Sequence, residues 1–347
     1  MNKEERLLTP KQRVGWRILQ AVVWLVGVAI VGALLWKPKI GIDAFWNVLI
    51  PVAPALLVLA PGIWRNICPL GMTSLIPRRF GFSKGRKLSV ATQAVFATTG
   101  VLLLLLIVPL RHVIFDLNGP ATAKLLLSMA GIAFLMGVFF EGKSGWCSGI
   151  CPVHPVEKLY GQAPLFSPPN AQCDRCTKCV QPCPESIPNG HPLSVEIPLS
   201  RVFPGMLLVG GFPGFVYGWF QVQDQAKLRD GLGQLAEAYS WPLGGLLVTF
   251  LLFVILQKVL PRKDHPFLIR LFGAAAVSCY YWFRLPALFG YGPFPGDGML
   301  VDMTATLPGW FPIACQLITT TAFLYLLVFR HKPQAIWTHP PAFATDP

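Results

Sequence analysis

Long apolar runs alternate with short polar connections along most of the chain. A helix needs about 20 mostly apolar residues to cross a hydrocarbon core roughly 30 Å thick. Eight runs reach or approach that length, at 14–36, 45–60, 90–110, 123–140, 202–222, 241–260, 267–289 and 310–329. The fifth run contains Pro204, Pro213 and several glycines, so we expect it to be kinked or broken. The pattern predicts an α-helical polytopic membrane protein with about eight transmembrane helices.

Composition supports this assignment. Of 347 residues, 53% are hydrophobic and only 13% are charged, and the mean hydropathy is +0.53. A soluble core of this size needs far less apolar surface. The N-terminal segment has no compact apolar stretch followed by a small-residue cleavage site, so we expect no cleavable signal peptide.

The distribution of basic residues predicts how the chain is oriented. Loops on one side contain 22 of the 29 Lys and Arg residues and loops on the other contain six, while Arg284 lies within an apolar run. The positive-inside rule then places both termini and the cysteine-rich loop on the cytoplasmic face of a bacterial inner membrane. Because the formal charge of +13 falls in these short loops, it indicates orientation in the lipid bilayer and not a nucleic-acid partner. The carboxylates of the opposite loops, Asp297 and Asp302 among them, are expected to be solvated.

One loop contains the spacing Cys-x2-Cys-x2-Cys-x3-Cys-Pro. Its cysteines are Cys173, Cys176, Cys179 and Cys183, and Pro184 follows. Three thiolates at two-residue gaps surround one cubane iron–sulfur cluster, and in two-cluster ferredoxins the fourth ligates the other cluster. The spacing therefore predicts one [4Fe–4S] cluster in a ferredoxin-like loop. Zinc would favour two Cys-x2-Cys pairs with a longer spacer, and a cytoplasmic loop does not favour disulfides.

Two further segments end in Cys-Pro, and they repeat at a constant offset of 83 residues. Segment 62–70 ends in Cys68-Pro69-Leu70, and segment 145–153 ends in Cys151-Pro152-Val153. The second copy also contains Cys147, where the first has Trp64. Each copy follows an apolar run on the predicted cytoplasmic side, which favours a duplicated helix–loop–helix unit.

The number of thiols leaves the second cluster open. Two all-cysteine [4Fe–4S] clusters need eight thiolates, and the loops supply seven, since Cys279 and Cys315 fall in apolar runs and are expected to pack as small hydrophobic residues. Cys183 either completes the first cluster or joins Cys147, Cys151 and Cys68 around another. His154 is the nearest candidate for an eighth ligand, and an ordinary loop histidine is the alternative.

These motifs resemble the membrane-bound polyferredoxins of the NosR, NapH and RdxA/CcoG type, and the resemblance covers about residues 45–200. It implies a multi-pass protein with cytoplasmic [4Fe–4S] clusters that accompanies a dedicated redox enzyme. The family's full pattern has two Cys-x3-Cys-Pro motifs and two complete ferredoxin runs. This chain has one run, one intact motif and one degenerate copy at Cys68. We therefore expect helices 1–4 in residues 1–140 with the degenerate loop at 61–89, the iron–sulfur loop at 141–200 and helices 5–8 in residues 201–347.

The expected function is electron transfer between a quinone pool or membrane partner and a redox enzyme. Haem b inside the membrane is not expected, because all six histidines lie in loops or at the ends of apolar runs. Arg284 either holds a quinone carbonyl or an anion, or is a snorkelling or ion-paired arginine. The basic stretch 78–87 faces anionic lipid or docks a ferredoxin or flavodoxin.

Two other functions stay open at this point. One is an assembly or redox-sensing factor for a metalloenzyme, and the other is a transporter with an accessory cluster, which a broken fifth helix would favour. No residue set suggests a separate catalytic site, so we expect an electron-transfer subunit and not a stand-alone enzyme.

Overall fold

The fold is that of a computed structural model, which describes residues 8–166, 168, 171–172, 202–227 and 234–330. These residues form helices and connecting loops, and their only β-type pairing is an isolated bridge between Arg86 and Phe140. The prediction of a polytopic α-helical membrane protein is confirmed.

We number the helices in chain order. They are α1 (Pro10–Trp36), α2 (Pro38–Leu59, with π-helical turns at Asp43–Leu49), α3 (Pro61–Ile67), α4 (Pro69–Arg79), α5 (Val90–Leu110, continued by a π-helical turn at Arg111–Phe115), α6 (Gly119–Phe139), α7 (His154–Tyr160), α8 (Val202–Trp219), α9 (Leu235–Val259), α10 (His265–Leu288) and α11 (Phe311–Leu324, continued by a π-helical turn at Tyr325–Phe329). A further π-helical turn, Trp146–Ile150, precedes α7.

Local sequence explains several helix starts. Thr9 caps α1 in a capping box, because its Oγ1 accepts from the Gln12 N–H at 3.3 Å while Gln12 Oε1 accepts from the Thr9 N–H at 2.9 Å. Ser89 and Asn118 cap α5 and α6 through their side-chain oxygens in the same way. Each cap satisfies an N–H that the helix itself leaves free.

Within the described ranges, seven helices are long and apolar enough to cross a membrane. They are Pro10–Trp36, Pro38–Leu59, Ala91–Phe115, Gly119–Phe139, Leu235–Val259, Arg262–Leu288 and Phe311–Phe329. These correspond to seven of the eight predicted runs. The remaining run forms α8, which is not among the seven. We expected this run to be kinked or broken, and it is not broken, because α8 continues through Pro213.

Helix α8 is an interior helix. Leu208, Val209 and Phe215 are at most 2% exposed. A Cβ placed on Gly214 would lie 1.9 Å from the backbone oxygen of Gly245 in α9, so the two backbones are in contact. A Cβ on Gly218 would lie 2.1 Å from the Trp241 carbonyl oxygen, and one on Gly210 would lie 2.7 Å from Phe253 Cβ, which is the small-residue packing by which membrane helices associate.

The helices define two ends of the molecule. Residues 60–79 and 140–161 lie at one end, which we call the cysteine end, since α2 and α6 both lead into it. Residues 38–47, 111–118 and 220–227 lie at the opposite, far end. A helix of the length of α6 separates the two ends by roughly 30 Å at 1.5 Å per residue.

A candidate thiolate centre at the cysteine end

Cys68 and Cys151 occupy equivalent turns. The backbone angles are φ −54° and ψ 118° at Cys68, and φ −58° and ψ 119° at Cys151. Each N–H closes the preceding helical turn, onto the Trp64 carbonyl at 2.8 Å and the Trp146 carbonyl at 2.9 Å. In both copies the chain changes direction at the proline that follows the cysteine. The repeat seen in the sequence therefore produces two turns of the same shape.

Backbone N–H groups point at both sulfurs. The N–H groups of Leu70 and Gly71 donate to the thiol of Cys68, and those of Val153 and His154 donate to the thiol of Cys151. The donors stand two and three residues after the cysteine in each copy. Hydrogen bonds of this kind stabilise a thiolate. The two turns are thus suited to hold sulfur in its ligating form.

Burial acts in the opposite direction. It raises the pKa of the Cys68 thiol, and it raises the pKa of Cys151 to about 12, with the charge of nearby Cys68 adding to the rise. A bound metal cation would reverse this balance, because coordination deprotonates a thiol. Raised pKa values make Cys68 and Cys151 poor nucleophiles at neutral pH.

Cys147 is the third thiol of the centre. A Cβ placed on Gly71 would lie 3.7 Å from Cys147 Sγ and 3.9 Å from Cys68 Sγ. The absence of a side chain at Gly71 thus leaves a small space that both sulfurs border. Together with the electrostatic coupling of Cys151 to Cys68, this brings Cys68, Cys147 and Cys151 to one location.

Charged side chains are buried beside the thiols. Lys143 is 4% exposed, its Nζ donates to the Arg65 carbonyl at 3.2 Å, and its charge favours the thiolate of Cys68. Arg65 forms a buried ion pair with Glu157. Burial alone would raise the pKa of Glu157, but the charge of Arg65 holds this pKa below its usual range. Cationic groups next to a site that accumulates negative charge lower the cost of burying that charge.

His154 lies next to this ion pair. Its Nδ1 is 3.5 Å from Glu157 Oε2. Burial lowers the pKa of His154 to about 4, against the opposing effect of Glu157, so the imidazole is neutral near pH 7. In the structure the ring of His154 faces Glu157, and its backbone N–H donates a hydrogen bond to the sulfur of Cys151.

Ala171 and Gln172, which precede the four-cysteine run in the chain, are hydrogen-bonded to Asn66, two residues before Cys68. Asn66 Oδ1 accepts from the N–H of Ala171 at 2.9 Å, and the Asn66 carbonyl accepts from Gln172 Nε2 at 2.9 Å. Gln20 Nε2 of α1 donates to the same carbonyl at 3.0 Å. The run itself, with Cys173, Cys176, Cys179 and Cys183, lies outside the described residues.

The described residues contain no group of three or more His, Cys, Asp and Glu side chains that could hold a metal ion. The arrangement of Cys68, Cys147 and Cys151 therefore does not provide a mononuclear site of the zinc type by itself. A cluster of several irons spreads its ligands more widely, and the nearest further thiols in the chain follow directly from Gln172.

Two of the nine cysteines lie apart from this centre. Cys279 in α10 and Cys315 in α11 are buried within membrane-spanning helices. Sequence reasoning identified the three thiols of the centre but missed Asn66, Gly71 and Lys143. The position of Gly71, three residues after Cys68, could have indicated its role, whereas nothing near Lys143 in the sequence predicts its burial.

The chain was compared with protein-family models, curated proteins and solved structures, and nothing matches it.

Proposed function

We propose that the chain is a membrane-bound iron–sulfur electron-transfer protein that passes electrons between a quinone pool or membrane partner and a dedicated redox enzyme. The main support is that Cys68, Cys147 and Cys151 lie near one another and that backbone N–H groups donate to Cys68 and Cys151. Ala171 and Gln172, which precede the four-cysteine run in the chain, are hydrogen-bonded to Asn66 nearby. The basic loops favour the cytoplasmic face of a bacterial inner membrane for the cysteine end.

The ligand assignment follows the spacing. Cys173, Cys176 and Cys179 would hold one [4Fe–4S] cluster, and Cys183 either completes it or joins Cys68, Cys147 and Cys151 around a second. A bound cluster supplies the one-electron chemistry. Four thiolates and a cubane carry a net negative charge, so the buried cation Lys143 fits this occupant electrostatically, while the charge of Arg65 is already balanced by Glu157.

The residues around the thiols would tune the electron-transfer centre. The N–H groups of Leu70, Gly71, Val153 and His154 would donate to cluster-bound sulfurs, which favours the reduced form and raises the reduction potential. The three cysteines are only partly exposed, which limits the access of water to the sulfurs. The side chain of Lys143 adds a positive charge on the same side.

Metal analysis of the purified chain tests the proposal. Anaerobically prepared protein should contain iron and acid-labile sulfide and should give an EPR signal of a reduced cubane after dithionite. Cys176→Ser should remove the visible absorption of the first cluster, and Cys147→Ser should remove any second one. Cys279→Ser is the matched control and should retain the full spectrum. Zinc in place of iron, or a spectrum unchanged in Cys176→Ser, would contradict the proposal.

A quinol analogue distinguishes electron transfer from an assembly role. Reduction of the clusters by the analogue supports an electron carrier. Clusters that form but never accept electrons from quinol would instead favour the assembly or redox-sensing factor.

A further inference from the structure

A second group of buried polar residues lies at the far end, away from every cysteine of the centre. We call Trp46, Arg111, His112, Asp224 and Arg284 the far-end cluster. The residues come from α2, α5, α10 and the segment after α8, and Trp46, Arg111, His112 and Arg284 are each at most 7% exposed. Charged side chains at the depth of membrane-spanning helices are costly and usually mark a functional site.

Asp224 connects the residues of the cluster through hydrogen bonds. Its Oδ2 accepts from Arg111 Nη2 at 3.3 Å, and its Oδ1 is 2.5 Å from His112 Nδ1. Arg111 Nη2 also donates to Asp116 Oδ1 at 3.2 Å. The backbone N–H of Asp224 donates to Asp297 Oδ2 at 2.7 Å, which fixes the segment that carries the carboxylate.

The bond to Asp224 sets the tautomer of His112. A carboxylate only accepts, so His112 Nδ1 carries the proton that it donates, and Nε2 of the neutral ring carries a lone pair. Nε2 is buried and has no hydrogen-bond partner among the described residues. A carboxylate behind an imidazole strengthens the ring as a hydrogen-bond acceptor, so His112 Nε2 is ready to accept an O–H.

Three buried donors in the cluster also lack an acceptor. They are Trp46 Nε1, Arg111 Nε and Arg284 Nε, none of which has a partner in the part of the chain that the structure describes. Arg284 is otherwise held in place, since its Nη2 donates to the Trp46 carbonyl at 2.8 Å and to Asn47 Oδ1. Buried N–H groups are nearly always paired, so this arrangement indicates an oxygen-bearing ligand.

The cluster also has aromatic walls. The guanidinium carbon of Arg111 is 5.3 Å from the ring centre of Trp219 and 6.0 Å from that of Trp46. The His112 and Trp219 rings have centres 4.7 Å apart. These groups present flat apolar faces next to the unpaired polar atoms.

We propose that the far-end cluster binds the head group of a hydroquinone. A ring hydroxyl would donate to His112 Nε2, and ring oxygens would accept from the N–H groups that lack a partner, Nε1 of Trp46 and Nε of Arg111 and Arg284. An inorganic anion fits less well, because Asp116, Asp224 and Asp297 already place carboxylates around the arginines. The position at the ends of membrane-spanning helices suits a ligand delivered from lipid.

This inference goes beyond the proposed function, because a hydroquinone at the far end would lie roughly 30 Å from the thiols and the site does not use them. It concerns binding only, because the cluster and the thiolate centre lie at opposite ends of α6. The two proposals can therefore fail separately.

Binding of tetramethylhydroquinone tests the site. The full chain in lipid nanodiscs is titrated anaerobically with this hydroquinone and, in parallel, with its dimethyl ether, which has the same ring but no O–H donor. Thermal stability and calorimetric affinity are measured for both. We expect saturable binding of the hydroquinone and at least tenfold weaker binding of the ether. Equal effects of the two compounds, or no binding of the hydroquinone, would overturn the proposal without requiring any variant to fold.

Variants locate the site within the chain. His112→Gln and Arg284→Lys should each weaken hydroquinone binding at least tenfold, while His265→Gln, at the cysteine end, should not change it. Unchanged binding in both far-end variants, or competition by sulfate or chloride in the wild type, would overturn the assignment. Iron and sulfide are measured on the same samples: binding without iron contradicts only the iron–sulfur proposal, and iron without binding contradicts only the hydroquinone site.

Discussion

The side-chain oxygen of Asn66 accepts a hydrogen bond from the backbone N–H of Ala171 at 2.9 Å. Ala171 stands two residues before Cys173 in the chain, so this bond holds the described segment that precedes the four-cysteine run against α3. Asn66→Ala should reduce cluster incorporation only partly, since one hydrogen bond contributes about 1 kcal/mol. Iron per chain after a fixed reconstitution time measures the effect. Asn118→Ala, which removes a helix cap at the far end, should leave iron content unchanged, and equal losses in both variants would argue against a local role.

Gly71 borders the space between two sulfurs. A Cβ added at Gly71 would make only ordinary contacts of 3.7 to 3.9 Å, so the Gly71→Ala variant should fold. The added methyl group would nevertheless occupy space next to Cys68 and Cys147. We expect the variant to lose most of the iron that depends on Cys147. Gly131→Ala in α6 is the control, because nothing lies within 4 Å of its Cβ. Full iron content in Gly71→Ala would show that no cluster reaches this space.

Lys143 is a buried cation whose charge acts on Cys68. Lys143→Met should therefore lower the reduction potential of a cluster held there, by roughly 60 mV if the charge contributes one factor of ten to the one-electron equilibrium. A potentiometric titration followed by EPR gives the value. Lys124→Met changes an exposed lysine in α6 and should not shift the potential. A potential that rises or stays constant in Lys143→Met would contradict the electrostatic argument.

Asp116 should give stability a characteristic pH dependence. Burial raises the pKa of Asp116 to about 6, against the opposing effect of Arg111. Between about pH 4 and 6 the folded protein holds a proton that the unfolded chain has released, so stability should rise as pH falls through this window. Asp116→Asn cannot ionise. It should be more stable than wild type at pH 7 by on the order of 1–2 kcal/mol and should lose this contribution to the slope.

Thermal unfolding at several pH values measures the difference between Asp116→Asn and wild type. Burial also raises the pKa of Asp297 to about 6, so part of the slope should remain in the variant. An Asp116→Asn protein that is less stable than wild type at pH 7 would show that the ionised carboxylate is favoured.

Gly214 is a backbone contact between α8 and α9. A Cβ there would lie 1.9 Å from the Gly245 carbonyl oxygen, so Gly214→Ala must separate the two helices. Overpacking of this kind costs about 1–3 kcal/mol or more, and the thermal midpoint should fall clearly. Gly244→Ala places a methyl where nothing lies within 4 Å and should be neutral. Similar midpoints for both variants would contradict the close packing.

The sequence predicted the long helices well because length and hydropathy determine them. The run at 90–110 corresponds to the α-helical part of α5. The sequence did not predict α4 or α7. Both helices are short, begin at or next to prolines and mix polar with apolar residues, so no membrane-length pattern marks them. The fifth run forms a continuous helix and not a broken one, because its glycines serve close packing against α9 and not a change of direction.

The candidate centre could be predicted only as a set of thiols. Spacing indicated Cys68, Cys147 and Cys151, but their convergence depends on how α3, α4 and the turn before α7 fold together. At the far end, Arg284 stood out as a charge in an apolar run, whereas Asp297 was expected to be solvated. It instead accepts a hydrogen bond from the backbone of Asp224, a partner 73 positions away in the chain that no local pattern could reveal.

The close fit of α8 against α9 also bears on how the protein is made. A segment whose glycines meet a neighbouring backbone depends on that helix for its packing, since in the folded protein it offers lipid little side-chain surface. Helix α9, with Val248 and Ile255 more than half exposed, is lipophilic on its outer face. We therefore expect the two to enter the bilayer as a hairpin, with α8 held at the insertion machinery until α9 has been synthesised.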